Sequence, residues 1–144
     1  MKTPTARVSA RTEKMEFSQK YSTKYCVPTW LRDEQVRIAI KKVKGRVVPN
    51  GDILKDPIAV VGFGPSLKAT VEEIRGFKYI ISCSGAHKFL IERGIIPTWH
   101  MAVDPLPKNT VQLIGTPHPD VEYLISSTCH PDVLDHLANH HLKL

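Results

Sequence analysis

A glycine-rich turn between an apolar run and a helical pattern is the first stretch of this sequence that could do chemistry. The apolar run, residues 58–61, contains two valines and is typical of a strand buried on both faces. Gly62 and Gly64 then break the chain at positions where the backbone can take φ > 0 or admit a close neighbour. Pro65 suits the first position of a helix, and residues 67–75 repeat apolar side chains at helical spacing. A strand, a glycine turn and a helix present free backbone amides and a helix dipole to an anion, most often a phosphate.

The same stretch allows a second interpretation, a tight turn that binds nothing. It has no third glycine of a dinucleotide fingerprint and no Gly-Lys-Ser/Thr of a phosphate loop. Under the phosphate interpretation the binding residues are Gly62, Gly64, Pro65, Ser66 and Leu67, with the Ser66 hydroxyl beside the amides. The choice between the two depends on what the rest of the chain brings to the same place.

Three further strand ends carry polar residues. Ser84 and Gly85 follow a second apolar run and offer a hydroxyl and a glycine where a ribose or base could lie. Asp104 follows a third run, and a carboxylate there suits Mg²⁺ held against phosphate oxygens, so Asp104 is both a catalytic and a metal candidate. His130 follows a fourth run and could bind a phosphate or act as acid or base near neutral pH.

Each of these residues also has a purely structural explanation. Ser84 could cap the helix that follows it. Asp104 before Pro105 could form an Asx-type turn, and His130 before Pro131 could cap the last helix. Together on one edge of a sheet, however, they favour a nucleotide-type site.

The elements that must position these residues alternate regularly. The pattern predicts strands at 58–61, 78–82, 99–103 and 123–127, and helices at 66–75, 86–93 and 131–139, with a short helical piece in the proline-rich connection 106–120. Such alternation predicts an α/β fold, a Rossmann-like three-layer arrangement with a mostly parallel sheet. Ligands in such sheets bind at the carboxyl ends of the strands, near a topological switch point. Residues 141–144 alternate like the opening of another strand, so we expect the domain to be incomplete at its C-terminus.

The N-terminal third of the chain differs in charge from the rest. The whole chain has a formal net charge of +6, and residues 1–46 hold 12 Lys and Arg against 4 Asp and Glu. We interpret residues 1–29 as a polar, basic, disordered arm, residues 30–57 as a helix followed by turns, and residues 58–144 as the nucleotide-binding domain. The arm carries no known nucleic-acid motif, so we do not expect nucleic acid as a partner.

Cysteine content and hydropathy bear on where the protein is expected to be located. Three cysteines without a CxxC pair indicate neither a disulfide framework nor a zinc site, which favours a reducing, cytoplasmic location. The longest apolar runs fall far short of the ~20 residues that a membrane helix needs. We therefore expect no membrane association.

The motif at residues 61–67, Val-Gly-Phe-Gly-Pro-Ser-Leu, resembles the 6-hydroxymethylpterin diphosphokinase MptE-like family. Residues 82–86, the Gly-Ile-Ile-Pro at 94–97, Asp104-Pro105 and the turn at 127–131 support the resemblance by their order and spacing. That family also takes in the glycosyltransferase domain of bacterial motility accessory factors. A similar glycine turn occurs in bacterial sialyltransferases that use CMP-sugars.

The resemblance implies a Rossmann-like domain that binds a nucleotide at the turn of residues 62–66, with Asp104 as a metal or substrate contact. It favours an enzyme, a transferase that moves diphosphate from ATP to a pterin alcohol with Mg²⁺. One alternative is a glycosyltransferase with a nucleotide-sugar donor, and another is a non-catalytic binding module with a basic arm. The partners expected are a nucleotide and a small-molecule acceptor, and an exposed sheet edge would favour self-association.

Overall fold

The computed structural model describes residues 27–48 and 54–144. The predictions made for the basic arm at residues 1–26 and for the turn at 49–53 lie outside the described residues. In the described residues a first helix is followed by five strands that alternate with four helices. In chain order the elements are α1 (Thr29–Lys42), β1 (Ile58–Val61), α2 (Leu67–Ile74), β2 (Tyr79–Cys83), α3 (Ala86–Ile91), β3 (Trp99–Ala102), α4 (Pro107–Ile114), β4 (Glu122–Ile125), α5 (Pro131–His136) and β5 (His141–Lys143).

The five strands form one parallel sheet in the order β1-β2-β3-β4-β5. This arrangement confirms the predicted α/β fold. Because strand order follows chain order and crossovers share one hand, successive helices are expected on the same face of the sheet. The order of the described strands never reverses, so the expected topological switch point is not found in this part of the chain, and a site must be argued from the strand ends themselves.

The helices cover the face formed by alternate strand residues. Val61 and Ile80 pack with buried side chains of α2 and α3 in one cluster. Ala102, Tyr123 and Ile125 pack with buried side chains of α1, α4 and α5 in a second cluster. The alternation of side chains along each strand therefore sends every second residue into one continuous helical layer.

The opposite face of the sheet is apolar and largely open among the described residues. Val60 on β1 is 69% exposed, and Val103, just past β3, is 65% exposed. Tyr79 and Trp99 stack on this face with ring centroids 5.8 Å apart. The described residues thus supply two of the three predicted layers. The predicted self-association through an open edge stays a prediction.

Most element boundaries agree with the sequence prediction to within a few residues. The strand predicted at 58–61 is found at those positions, and the helical piece expected between 106 and 120 is α4. The alternation at residues 141–144 also predicted a strand, and β5 pairs there with β4. The prediction that 58–144 is a domain separate from 30–57 stays a prediction, although α1 packs directly on α5.

The segment after α1 runs beside the last strand. The Leu144 amide donates to the Gly45 carbonyl at 3.1 Å, and the Val47 amide donates to the Leu144 carbonyl at 2.8 Å. Gly45 is needed for this close approach, because a Cβ at that position would lie 2.6 Å from the Leu142 carbonyl oxygen. None of the helices among the described residues is long and apolar enough to cross a membrane.

We expect Gly45→Ala to lower the free energy of unfolding by about 1–3 kcal/mol, because the backbone contact with β5 cannot accept a methyl group without shifting. Urea denaturation measures the change. Gly76→Ala is the matched control, since its Cβ would meet its nearest neighbour at an ordinary 3.5 Å. Equal losses in the two variants would show that the contact at Gly45 carries no special cost.

Candidate functional site

The four polar turns predicted from the sequence all lie at the carboxyl edge of the sheet. Each follows the end of a parallel strand, in the order residues 62–66, 84–85, 104–105 and 126–130. Neighbouring strands lie about 4.8 Å apart, so the row from β1 to β4 spans about 14 Å. That length suits an extended ligand of the size of a nucleotide.

The glycine turn is open to solvent. A Cβ at Gly62 or Gly64 would meet no atom within 4 Å, and neither glycine has a positive φ. From the sequence, glycine at these positions has two possible reasons, a left-handed backbone or the close approach of another group. The backbone is not left-handed at either glycine, so only the close approach of another group remains. No described residue offers a backbone acceptor to the amides of Phe63, Gly64 or Ser66. These amides are free to bind an anion at the start of α2.

Ser66 occupies the N-cap position of α2, but its hydroxyl makes no capping hydrogen bond. Its backbone carbonyl accepts hydrogen bonds from the Ala69 and Thr70 amides. Leu67, by contrast, is a core residue at 5% exposure, packed in the cluster beneath the turn. Leu67 thus anchors the turn, while the Ser66 hydroxyl is available to a ligand.

Phe63 links the glycine turn to the next strand end. A Cβ added to Gly85 would lie only 2.7 Å from the nearest atom of the Phe63 ring, so the ring packs directly against Gly85. The centroid of the Phe63 ring is 6.3 Å from that of the Phe89 ring. Gly85 therefore permits the aromatic ring to settle on the start of α3. The prediction that Gly85 leaves room for a ribose or base stays a prediction, because Phe63 takes up part of that space.

Ser84 has a strained backbone. Its φ is +54°, the only positive φ of a non-glycine residue in the described chain. It does not cap α3, because Gly85 holds the N-cap position and no side-chain capping bond forms. Helix capping therefore does not explain Ser84. Non-glycine residues held in the left-handed region cluster at functional sites, so the backbone of Ser84 is consistent with a role in a site.

A cavity of about 160 Å³ lies between the ends of β2 and β3 and joins Ser84 to Asp104. Its remaining lining residues are mainly apolar: Cys83, Met101, Ala102, Val103, Thr110, Leu113 and Ile114. Typical small-molecule pockets enclose roughly 300–1,000 Å³. A nucleotide would therefore lie mainly along the edge, with only a small apolar group inserted in the cavity.

Asp104 forms the Asx-type turn that its sequence context predicted. Its Oδ1 accepts a hydrogen bond from the Leu106 amide at 2.9 Å. Thr110 Oγ1 donates to the Asp104 carbonyl at 3.3 Å. No described residue bonds the second carboxylate oxygen, Oδ2. The structural role and the ligand role are therefore compatible, because one oxygen serves the turn and the other is left for a ligand.

A metal at Asp104 has few ligands among the described residues. No group of three or more His, Cys, Asp or Glu residues in the described part of the chain could hold a metal ion. Mg²⁺ is commonly bound through one or two carboxylates together with substrate phosphates and water. Asp104 therefore fits a magnesium ion that arrives with a nucleotide better than an ion held by the described side chains alone.

The turn after β4 lies against the end of β3. The Ser126 amide donates to the Ala102 carbonyl at 2.9 Å, and Cys129 Sγ contacts the same carbonyl at 3.5 Å. Burial, together with the nearby Asp104 carboxylate, raises the pKa of the Cys129 thiol to about 12. The high pKa makes Cys129 an unreactive core residue.

His130 caps α5. Its Nδ1 accepts a hydrogen bond from the Asp132 amide at 3.2 Å. In the neutral ring the proton then resides on Nε2, which makes Nε2–H a donor. The structural explanation for His130 is correct for Nδ1, and it leaves one nitrogen that could bind a phosphate oxygen.

The structure brings the predicted site residues together only in part. Ser84 and Asp104 share one cavity, and the turn that carries His130 is hydrogen-bonded to Ala102 at the end of β3, two residues before Asp104. Gly62, Ser66 and Leu67 border a different groove, on the outer side of β1 with Val60 and Phe77. A ligand would have to extend along the edge past β2 to touch both parts.

Sequence reasoning missed three residues of this region. No role was predicted for Phe63, although its ring contacts Gly85. Thr110 and Leu113 line the cavity from α4. Their signal was weak, because α4 lies in a proline-rich connection and not at a strand end.

Positive charge is scarce among the described side chains at this edge. None of the Lys and Arg side chains that the structure describes lines the cavity shared by Ser84 and Asp104. Lys88 borders a neighbouring groove with Phe63 and Gly85, but its side-chain carbons pack near Gly115. Phosphate charge would therefore be neutralised mainly by backbone amides and a metal ion.

This chain belongs to the 6-hydroxymethylpterin diphosphokinase MptE-like family, whose sequence model matches residues 29–143. The match begins at α1 and extends into β5, so it covers the helix before the sheet as well as the strand and helix repeat. The chain contains a transferase-like domain related to that family. No curated protein and no solved structure matches the chain.

Proposed function

We propose that this chain binds ATP with Mg²⁺ at the carboxyl edge of its sheet and transfers diphosphate to the hydroxymethyl oxygen of a pterin. The new bond forms at the β-phosphorus, the bond between the α- and β-phosphates breaks, and AMP and the hydroxyl proton leave. The observation that supports the proposal best is the open glycine turn. Its three amides, from Phe63, Gly64 and Ser66, have no backbone acceptor among the described residues and stand at the start of a helix. That arrangement attracts phosphate. Family membership supports a transfer reaction.

Each residue has a defined task in this proposal. The free amides and the Ser66 hydroxyl bind phosphate oxygens. Asp104 would hold Mg²⁺ through Oδ2, and the ion would neutralise negative charge on the phosphates when bound. His130 donates from Nε2 to an oxygen, which orients the transferred group. Such reactions depend mainly on positioning and on charge stabilisation.

A nucleotide-sugar transferase is the second candidate, favoured by the lack of cationic side chains around the cavity. A donor with fewer phosphate charges would need fewer cations. A binding module that uses the basic segment is the third candidate. It predicts a steep salt dependence of nucleic-acid binding and no need for the glycine turn.

Calorimetric titration with ATP, GTP, CTP and CMP, each with and without Mg²⁺, separates these candidates. We expect saturable binding of ATP that strengthens with Mg²⁺. Preference for CMP without metal would favour sugar transfer instead. Failure of a cooperatively folded protein to bind any of the four would contradict the nucleotide proposal.

Asp104→Asn tests the metal role. The asparagine oxygen can still accept from the Leu106 amide, so the turn is kept and only the charge is lost. We expect the dissociation constant for ATP to rise at least about tenfold with Mg²⁺, equivalent to about 1.4 kcal/mol, and to stay unchanged without it. Asp120→Asn, at an exposed loop position, is the matched control. An equal rise with and without Mg²⁺ would contradict the metal role.

A further inference from the structure

Gln35 in the middle of α1 is a buried polar residue that the sequence analysis did not single out. Only 2% of its surface is exposed. Its Nε2 donates a hydrogen bond to the Pro105 carbonyl at 3.2 Å, across 70 residues of chain. Because a carbonyl can only accept, this contact fixes the orientation of the amide group, with Nε2 toward Pro105.

The loop that Gln35 reaches is the one that carries Asp104. Two short-range hydrogen bonds hold this loop. The Leu106 amide donates to Asp104 Oδ1 within the loop, and Thr110 Oγ1, on the following helix α4, donates to the Asp104 carbonyl. Gln35 adds an external contact, at the residue directly after Asp104. The loop is thus attached to an element that precedes the whole sheet in sequence.

The other end of the Gln35 amide is unusual. Its Oε1 is buried and has no hydrogen-bond partner among the residues that the structure describes. A buried acceptor without a partner is unfavourable, and an apolar side chain of similar shape would avoid that cost. Packing alone therefore does not explain a glutamine at this position. The hydrogen bond that its Nε2 donates to the Asp104 loop does explain it.

We propose that Gln35 is a positioning residue of the candidate site, which holds the Asp104 carboxylate in place by bonding the carbonyl of the next residue. The contact between Gln35 and the loop is a feature of the structure itself. The importance of that contact for a ligand rests on the proposed function, in which Asp104 holds Mg²⁺. It makes α1 part of the site framework. Gln35 itself is too buried to touch a ligand.

Hydrogen exchange of the Leu106 amide tests the inference without any ligand, because that amide donates to Asp104 Oδ1. Gln35→Met keeps the length of the side chain and removes the donor, and Gln35→Leu is a second variant should the first not fold. Glu34→Gln, at an exposed position on the same helix, is the control. We expect exchange about tenfold faster in the Gln35 variants, with exchange in β2 and β3 unchanged. An unchanged rate at Leu106 would overturn the inference.

ATP titration of the same variants separates positioning from general stability. We expect a severalfold weaker affinity with Mg²⁺ and an unchanged affinity without it. Equal weakening in both conditions would overturn the positioning role, even if exchange at Leu106 were faster. If the wild type binds no nucleotide, the proposed function fails, while the exchange rate at Leu106 still decides whether Gln35 holds the loop.

Discussion

The protein should lose about 2 kcal/mol of its free energy of unfolding between pH 7 and pH 5 because of His100 alone. His100 is fully buried, and burial, assisted by the nearby His87, lowers its pKa from 6.5 to about 3. The folded protein therefore keeps this ring neutral, while the unfolded chain takes up a proton below its own pKa. The contribution of the neutral His100 ring to the free energy of unfolding is fully present above pH 6.5. It falls by about 1.4 kcal/mol per pH unit as the pH decreases toward 3.

His87 adds to the same loss. Its pKa is lowered by burial, and its ring lies 4.9 Å from that of His100, centroid to centroid. Urea denaturation at pH 7 and pH 5 measures the total. His100→Leu removes one protonation site and should flatten the pH dependence, whereas His141→Leu, at an exposed position, should leave it unchanged. A wild-type pH dependence equal to that of His100→Leu would contradict the buried neutral state of His100.

Tyr123→Phe should cost about 2–4 kcal/mol of the free energy of unfolding, because one lost hydroxyl leaves two polar groups unsatisfied. The Tyr123 hydroxyl lies 3.0 Å from His87 Nε2 and accepts a hydrogen bond from the His118 amide at 2.8 Å. His87 Nδ1 lies 2.7 Å from the Ile114 carbonyl and must donate to it. The neutral ring then carries its proton on Nδ1, so Nε2 accepts from the tyrosine hydroxyl.

Tyr79→Phe is the matched control for Tyr123→Phe. Both variants remove one oxygen, but Tyr79 is half-buried on the open face of the sheet, next to Lys78. We expect a change below about 0.5 kcal/mol there, as is usual for surface substitutions. Similar losses in the two variants on urea denaturation would show that the bonds between Tyr123, His87 and His118 do not stabilise the fold.

Local patterns in the sequence were sufficient to predict the parallel sheet. The apolar run at 58–61 and the alternation at 141–144 are both local properties of the chain that favour a strand. The run also predicted burial on both faces, and that part was wrong, because Val60 lies on the open face of the sheet and is 69% exposed. The lengths of α3 and α5 were overestimated, because each helix gives way to a turn closed by local backbone hydrogen bonds, from the Gly94 amide to the Ile91 carbonyl and from the His140 amide to the Leu137 carbonyl. The sequence did not indicate that the described helices would leave one face of the sheet open.

The candidate site was predictable only as a set of strand ends. Parallel strands bring their carboxyl ends to one edge, so Ser84, Asp104 and His130 could be grouped without a structure. The cavity between Ser84 and Asp104, the Phe63 ring on Gly85 and the Gln35 contact could not, because each depends on distances between elements far apart in sequence. The glycine turn proved open, but it borders a separate groove.

The central claim is that the glycine turn binds the phosphates of a nucleotide. Gly64→Val tests it, because a Cβ at this position would meet nothing within 4 Å and Gly64 has no positive φ, so we expect the fold to be kept. The residue before a proline also favours extended backbone, which valine accepts. The side chain would instead occupy the space over the free amides.

The measurement is a nuclear magnetic resonance titration of ¹⁵N-labelled protein with ATP and Mg²⁺, with wild type and Gly64→Val compared. The amides of Phe63, Gly64 and Ser66 should show the largest saturable shifts in the wild type. Binding should weaken at least about tenfold, or about 1.4 kcal/mol, in the variant. Shifts confined to other parts of the chain, or equal binding by Gly64→Val, would contradict the account.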